Sequence, residues 1–176
     1  MNRDRIVQRL EENCRAVASH FEAPATELRK TYAPGKWTLL QILAHLADCE
    51  AISVWRFGRA VAEPGSSVEA FEQDPWNDRL DYLARPVALS RDMFLAARRI
   101  LIHHVRTLPD DRLRTTCNHS EKGKLDGYTW ADVAAAHAEH HLGQIESARS
   151  GRPWARRSEY AGPLYGAGVT PMGVPG

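Results

Sequence analysis

The chain has 176 residues, a length that suits one compact domain and allows a sizeable buried core. Lys and Arg total 23 against 22 Asp and Glu, so a net charge of +1 lacks the basic excess of a phosphate-tracking nucleic-acid binder. Three cysteines without CxxC spacing (Cys14, Cys49, Cys117), a charged N-terminus and no apolar run of about 18 residues argue against a disulfide scaffold, an export signal or a membrane span, and for the cytoplasm.

Residues 2–21 carry Ile6, Leu10, Val17 and Phe21 at helical spacing, which predicts an amphipathic first helix. Pro24 and the APGKW segment at 33–37 break that pattern. Thr38 with Gln41 three residues on forms a capping box for a second helix over 38–62. Leu39, Ile42, Leu43, Leu46, Ile52, Val54 and Phe57 nearly encircle it, so it reads as central. Residues 63–86 hold prolines, acids and the aromatics Phe71, Trp76 and Tyr82 without sustained periodicity, which predicts a long ordered crossover.

Helical spacing resumes over 87–108 through Val87, Met93, Phe94, Ala97, Ile100, Leu101 and Val105. Residues 109–128 are polar and glycine-broken, with at most a short turn. Thr129, with Asp132 at the third position, is read as the cap of a fourth helix that Gly151 and Pro153 end. No β alternation of useful length appears. Residues 1–152 are thus expected to form an all-α four-helix bundle with a long crossover between helices two and three. Residues 153–176, rich in Gly and Pro, form an irregular tail that could wrap the bundle through Trp154, Tyr160, Leu164 and Tyr165.

The fourth helix contains HAEHHLGQI, with three histidines in five positions. His137 and His141, four apart, share a face and can reach one metal ion; His137 with His140 is an alternative pair. His45, on the apolar face of helix two, is a candidate third ligand, and bundle cores are where such sites are built. Three neutral imidazoles suit zinc or nickel and leave positions open for water or substrate. Asp48, Glu139, His140 and Gln144 are available to orient the rings. Spacing alone leaves metal ligation and ordinary packing of these histidines both open.

The runs PGKWTLLQILAHLADCEAISVWR (34–56), LPDDRL (108–113) and TWADVAAAHAEHHLGQI (129–145) together resemble the DinB/YfiT-like superfamily of metal-dependent four-helix bundles, over about residues 5–150. The resemblance implies that His45, His137 and His141 hold a divalent metal, usually zinc or nickel, in a bundle with a long connection between helices two and three. Members with assigned activity are similar to thiol S-transferases that use bacillithiol or mycothiol, and include a mycothiol-dependent maleylpyruvate isomerase. A homodimer is the assembly it favours.

The expected function is therefore a metal-dependent thiol S-transferase acting on a small electrophile, with a low-molecular-weight thiol as co-substrate and no nucleic-acid or membrane partner. Metal coordination would deprotonate the thiol at neutral pH. Trp37, Trp76 and Trp154 are candidate pocket walls, and Arg56 is either a contact for an anionic group or a surface residue. Cys49 could approach the metal or be an inert hydrophobe. His20, His103, His104 and His119 read as packing or solvated positions. Two other functions compete: metal-assisted hydrolysis with Asp48 or Glu139 as general base, and a non-catalytic metal-binding bundle.

Overall fold

The four segments with helical apolar spacing are the four long helices of the protein, seen in a computed structural model that describes residues 2–154. In chain order the elements are α1 (Arg3–His20), α2 (Ala25–Leu28), α3 (Leu39–Ala62), β1 (Ser67–Val68), α4 (Gln73–Arg79), α5 (Val87–Thr107), α6 (Asp110–Leu113), β2 (Thr116–His119), β3 (Gly123–Asp126) and α7 (Gly127–Ser150). The tail contacts expected of Tyr160, Leu164 and Tyr165 lie outside the described residues. Among the described residues no helix is long and apolar enough to cross a membrane.

Local chemistry fixes the helix ends. The Thr38 hydroxyl accepts from the Gln41 N–H at 3.3 Å, and the Gln41 side chain accepts from the Thr38 N–H at 2.9 Å, the reciprocal box the sequence predicts. Gly151 ends α7 at φ 70°, a left-handed conformation that favours glycine. The start of α7 differs from expectation. Asp126 is the cap, accepting from the Thr129 N–H at 2.7 Å and from its hydroxyl at 2.6 Å, so the helix begins two residues before Thr129.

Around the bundle, α1 packs on α7, α7 on α3, α3 on α5 and α5 back on α1. The first two long helices, α1 and α3, are therefore diagonal rather than adjacent, joined by residues 21–38, while the crossover returns the chain so that the neighbours α3 and α5 run parallel, with Phe94 beside Leu39 and Leu43, and Leu101 and Val105 beside Phe57. Helices α3 and α7 run antiparallel: His45, early in α3, meets His137 and His141, while Gly127, at the start of α7, lies against Phe57 and Val61 near the end of α3. A Cβ on Gly127 would stand 3.0 Å from Val61 Cγ2 and 3.1 Å from the Leu113 carbonyl, so glycine allows this approach.

The core is in two parts. One gathers Leu10, Phe57, Leu101, Val105, Tyr128, Trp130 and Ala131; the other gathers Val17, Phe21, Leu39, Leu43, Leu46, Phe94 and Ile145. Between them sits a buried ion pair. Arg98 Nε stands 2.6 Å from Glu50 Oε1, and its Nη2 donates to Glu50 Oε2 at 2.7 Å and to the Ala134 carbonyl at 3.2 Å. Arg98 Nη1 donates to the Leu10 carbonyl at 3.5 Å, so this one side chain touches all four long helices.

A small sheet closes one end, contrary to the expectation of no strands. β1 pairs parallel with β2 and β2 antiparallel with β3, placing Val68, Cys117 and Leu125 over the first core cluster. Strands of two and four residues carry too little alternation to be read from sequence. The crossover is pinned to α3 three times: Gln41 donates to Asn77 at 2.9 Å, Asp48 accepts from Tyr82 and Arg85, and Arg56 donates to the Glu69 carbonyl.

Candidate metal centre

The apolar faces of α3 and α7 each bring polar side chains into the interface, and these meet. His45 Nε2 lies 3.2 Å from His137 Nε2, and His141 Nε2 lies 3.1 Å from the same atom. All three donor atoms fall within 4.8 Å of one another. His45 is 1 % exposed and His141 6 %, whereas His137 is half-buried, so the cluster faces solvent on the His137 side.

Burial holds all three imidazoles well below their ordinary range, and a positive charge on any ring would further oppose a charge on its neighbours. The rings are therefore neutral, with lone pairs to offer. Gln144 fixes one of them: its Oε1 accepts from His141 Nδ1 at 2.7 Å, which leaves the Nε2 lone pair of His141 turned toward His137. A single proton on His137 Nε2 cannot serve two acceptors at once, so the cluster is not a closed hydrogen-bond network.

These residues fit a divalent cation. Two nitrogens each about 2.05 Å from one ion at the tetrahedral angle stand about 3.3 Å apart. The observed separations of 3.1 and 3.2 Å are close to that. Neutral imidazole is also a donor that zinc and nickel accept.

Around the cluster, Trp37 packs edge-on to His45 with ring centroids 5.1 Å apart. His140 lies against His141 at 5.0 Å and against Trp154 at 5.1 Å, forming one side of the site rather than a fourth nitrogen in it. Cys49 Sγ is 3.4 Å from His45 Nε2 but outside the three-nitrogen set; burial, with the Asp48 charge, pushes its thiol far up, so it is protonated.

Asp48 and Glu139, the carboxylates that sequence places near the histidines, are otherwise engaged. Asp48 accepts from Tyr82 Oη at 2.5 Å and from Arg85 at 2.6 and 3.0 Å, and makes no hydrogen bond to the three rings. Glu139 accepts from Arg9 at 2.8 Å on each oxygen. Sequence gave no hint of Tyr82 or Arg85 as neighbours of the site, since each is more than thirty residues from Asp48. Arg56 lies farther along α3, against Trp130 and Phe71. Trp76 packs against Phe71 with the rings tilted by 53°. The remaining histidines pack elsewhere: His104 stacks on Phe57, and His20 accepts from Arg149.

Comparison with known proteins places this geometry. The solved structure of YfiT from Bacillus subtilis, described as a probable metal-dependent hydrolase with an unusual four-helix bundle topology, superposes with a TM-score of 0.77 at 21 % identity, over 87 % of this chain and 89 % of that one. TT2238, described as a four-helix bundle protein, gives a TM-score of 0.58 at 23 % identity, over 83 % of this chain and 99 % of that one. These likenesses carry the fold. Among sequence relatives, a protein of Oceanobacillus iheyensis is 26 % identical over 128 residues, 73 % of this chain and 74 % of its own, and one of Bacillus mycoides is 25 % identical over 86 % and 87 %. Their names propose metal-dependent hydrolysis. Residues 8–145 match the family model of the DinB superfamily, and the chain belongs to that superfamily.

Proposed function

We infer that His45, His137 and His141 hold one divalent metal ion, zinc or nickel, and that the protein is a metal-dependent thiol S-transferase acting on small electrophiles. The observation that carries the metal is the convergence of three neutral imidazoles, with His137 Nε2 3.1–3.2 Å from the Nε2 atoms of the other two and all three donors within 4.8 Å. Held by three imidazoles, such an ion supplies Lewis acidity that deprotonates a coordinated small molecule, a thiol more readily than water because its free pKa is about 8.5.

The chain's own residues favour the thiol. Hydrolysis profits from a carboxylate that takes a proton from water, yet Asp48 and Glu139 both have their oxygens committed to arginine. Gln144 holds the His141 ring in one tautomer, Trp37 walls the His45 side, and the half-buried His137 side admits the small molecules. In the metal-free protein burial and the Asp48 charge keep the half-buried Cys49 thiol protonated, which favours an added small thiol as the nucleophile. Metal-assisted hydrolysis is the second reading, supported by the names given to the relatives.

The test is an assay of untagged, metal-loaded protein with bacillithiol, mycothiol or glutathione against a chlorodinitrobenzene electrophile, beside an activated ester without thiol. Thiol-dependent conjugation that His45→Ala abolishes is expected. Ester hydrolysis without any conjugation would select the second reading.

A further inference from the structure

The chain that leaves α7 folds back along the helix it has just completed. Gly151, in its left-handed conformation, turns it, the Ser147 hydroxyl donates to the Arg152 carbonyl, and Trp154 comes to lie beside Gly143. The return spans about two helical turns. Gly143 is the floor of the seat that receives the indole. A Cβ there would stand 3.3 Å from Trp154 Nε1 and 3.7 Å from its Cδ1, so a longer side chain would displace the ring. Glycine inside a helix costs about 0.5–1 kcal/mol relative to alanine, and contact with the indole gives a reason for one at this position.

Two further contacts make Trp154 a bridge between the helices that carry the histidine cluster. Toward α7, its ring meets His140 with centroids 5.1 Å apart, and His140 in turn meets His141 at 5.0 Å, each ring nearly perpendicular to the next. Toward α3, it meets the edge of Tyr32 at 5.7 Å. Tyr32 belongs to the loop closed by the Thr31–Thr38 bridge, and Trp37 of that loop packs on His45 at 5.1 Å. The indole thus stands one side chain away from His141 and one short loop away from His45. It is itself only half-buried, so its seat is among the contacts that open at modest cost.

Rings packed in series do not turn independently. With an ion bound, His45 and His141 are each narrowed to one orientation, which orders the surfaces against which Trp37 and His140 pack. Ordering supplied by one partner lowers the entropic cost of the next, and by linkage the benefit is mutual.

We propose that residues 151–154 form a latch coupled to metal occupancy: seating of Trp154 on Gly143 strengthens ion binding at His45, His137 and His141, and ion binding secures the seat. Trp154 is a positioning residue, acting through His140 and the 31–38 loop. The coupling rests on the metal reading above; the seat itself does not.

The test titrates the full chain, labelled with fluorotryptophan, with zinc, and follows the fluorine resonances of Trp37 and Trp154, assigned by their absence in Trp37→Phe and Trp154→Phe. Trp37, against His45, reports that zinc is bound, and the Trp154 resonance is expected to move in the same titration. Trp154→Ala empties the seat and Gly143→Leu fills it; each is expected to weaken zinc binding by about 5-fold or more, the lower end of coupling between sites, with no further loss in the double variant. Trp154→Phe keeps a ring in the seat and most of the affinity. An unmoved Trp154 resonance beside a moving Trp37, unchanged affinity in Trp154→Ala, or additive losses in the double variant overturns the latch. Trp154→Ala, beyond the last helix, decides alone should Gly143→Leu not fold. A Trp154 resonance that Gly143→Leu leaves unmoved in metal-free protein overturns the seat. A chain that takes up no zinc defeats the metal reading together with the coupling, whereas zinc uptake without these effects defeats the latch alone.

Discussion

The side-chain oxygen of Gln144 stands 2.7 Å from Nδ1 of His141, three residues earlier on the same helix face. This contact decides which nitrogen of His141 carries the proton and therefore which one can bind a metal. Groups that orient a ligating histidine in this way typically contribute 10- to 100-fold to metal affinity, about 1.4 to 2.7 kcal/mol. Gln144→Ala is expected to weaken zinc binding by about that factor with the fold intact. Competition against a chromophoric chelator measures it, and unchanged affinity would remove Gln144 from the site. Gln144→Glu keeps an acceptor at the same place and should retain affinity.

Asp48 provides the complementary case, a carboxylate close in sequence to His45 but bonded away from it. Its oxygens hold Tyr82 and Arg85 of the crossover, and the Arg85 guanidinium in turn lies 4.6 Å over the Tyr82 ring. Tyr82 is fully buried. Asp48→Asn should therefore lower stability, by about 1–3 kcal/mol for hydrogen bonds to a charged group, while leaving metal content within twofold of wild type. Urea unfolding and elemental analysis on the same samples separate the two effects. Loss of metal without loss of stability would instead tie Asp48 to the cluster.

What could be read from the sequence follows from how local each signal is. The α3 capping box, the apolar stripes and the Gly151 stop lie within a few residues of what they determine, and each is found in place. His137 and His141 are legible as a pair for the same reason, and His45 as a polar residue on an apolar face. The small sheet is not, because β1 pairs with β2 about fifty residues later through strands too short for periodicity. The cap of α7 is not legible at its true place, because Thr129 and Asp132 imitate a capping pattern that Asp126 already fulfils. The commitments of Asp48 to Tyr82 and Arg85, and of Glu139 to Arg9, are long-range pairings that no spacing reveals.

The Arg98–Glu50 pair makes a prediction about the whole bundle. Burial raises the Glu50 carboxyl above its usual range even though Arg98 opposes the shift, so the pair sits where charge is costly. Removing one partner leaves the other uncompensated, and Arg98→Met is expected to lose about 3–5 kcal/mol. The double variant Arg98→Met with Glu50→Leu should recover most of that loss, because an apolar pair of similar volume avoids the desolvation cost. Chemical denaturation of the four proteins in a double-mutant cycle tests this, and additive losses would show that the two residues act independently.

Metal binding and acid stability are linked through the three imidazoles. In the metal-free protein burial holds His45, His137 and His141 well below the ordinary histidine pKa of about 6.5. As pH falls through about 6.5, the unfolded chain takes up protons that the folded chain refuses, so the unfolded state is favoured. The stability is thus complete above that pH and is lost progressively below it. Each such histidine contributes a slope of up to about 1.4 kcal/mol per pH unit, and His137→Gln should reduce the measured slope between pH 6.5 and 5 by about that amount. Bound metal requires the same neutral rings, which the folded chain already keeps, so loading should raise stability at pH 7.5 and the gain should hold as pH falls until the folded rings themselves take up protons. Unfolding curves of metal-free and loaded protein across that range check both trends. A slope unaltered by the His137 substitution would mean that the ring already carries its proton in the folded state.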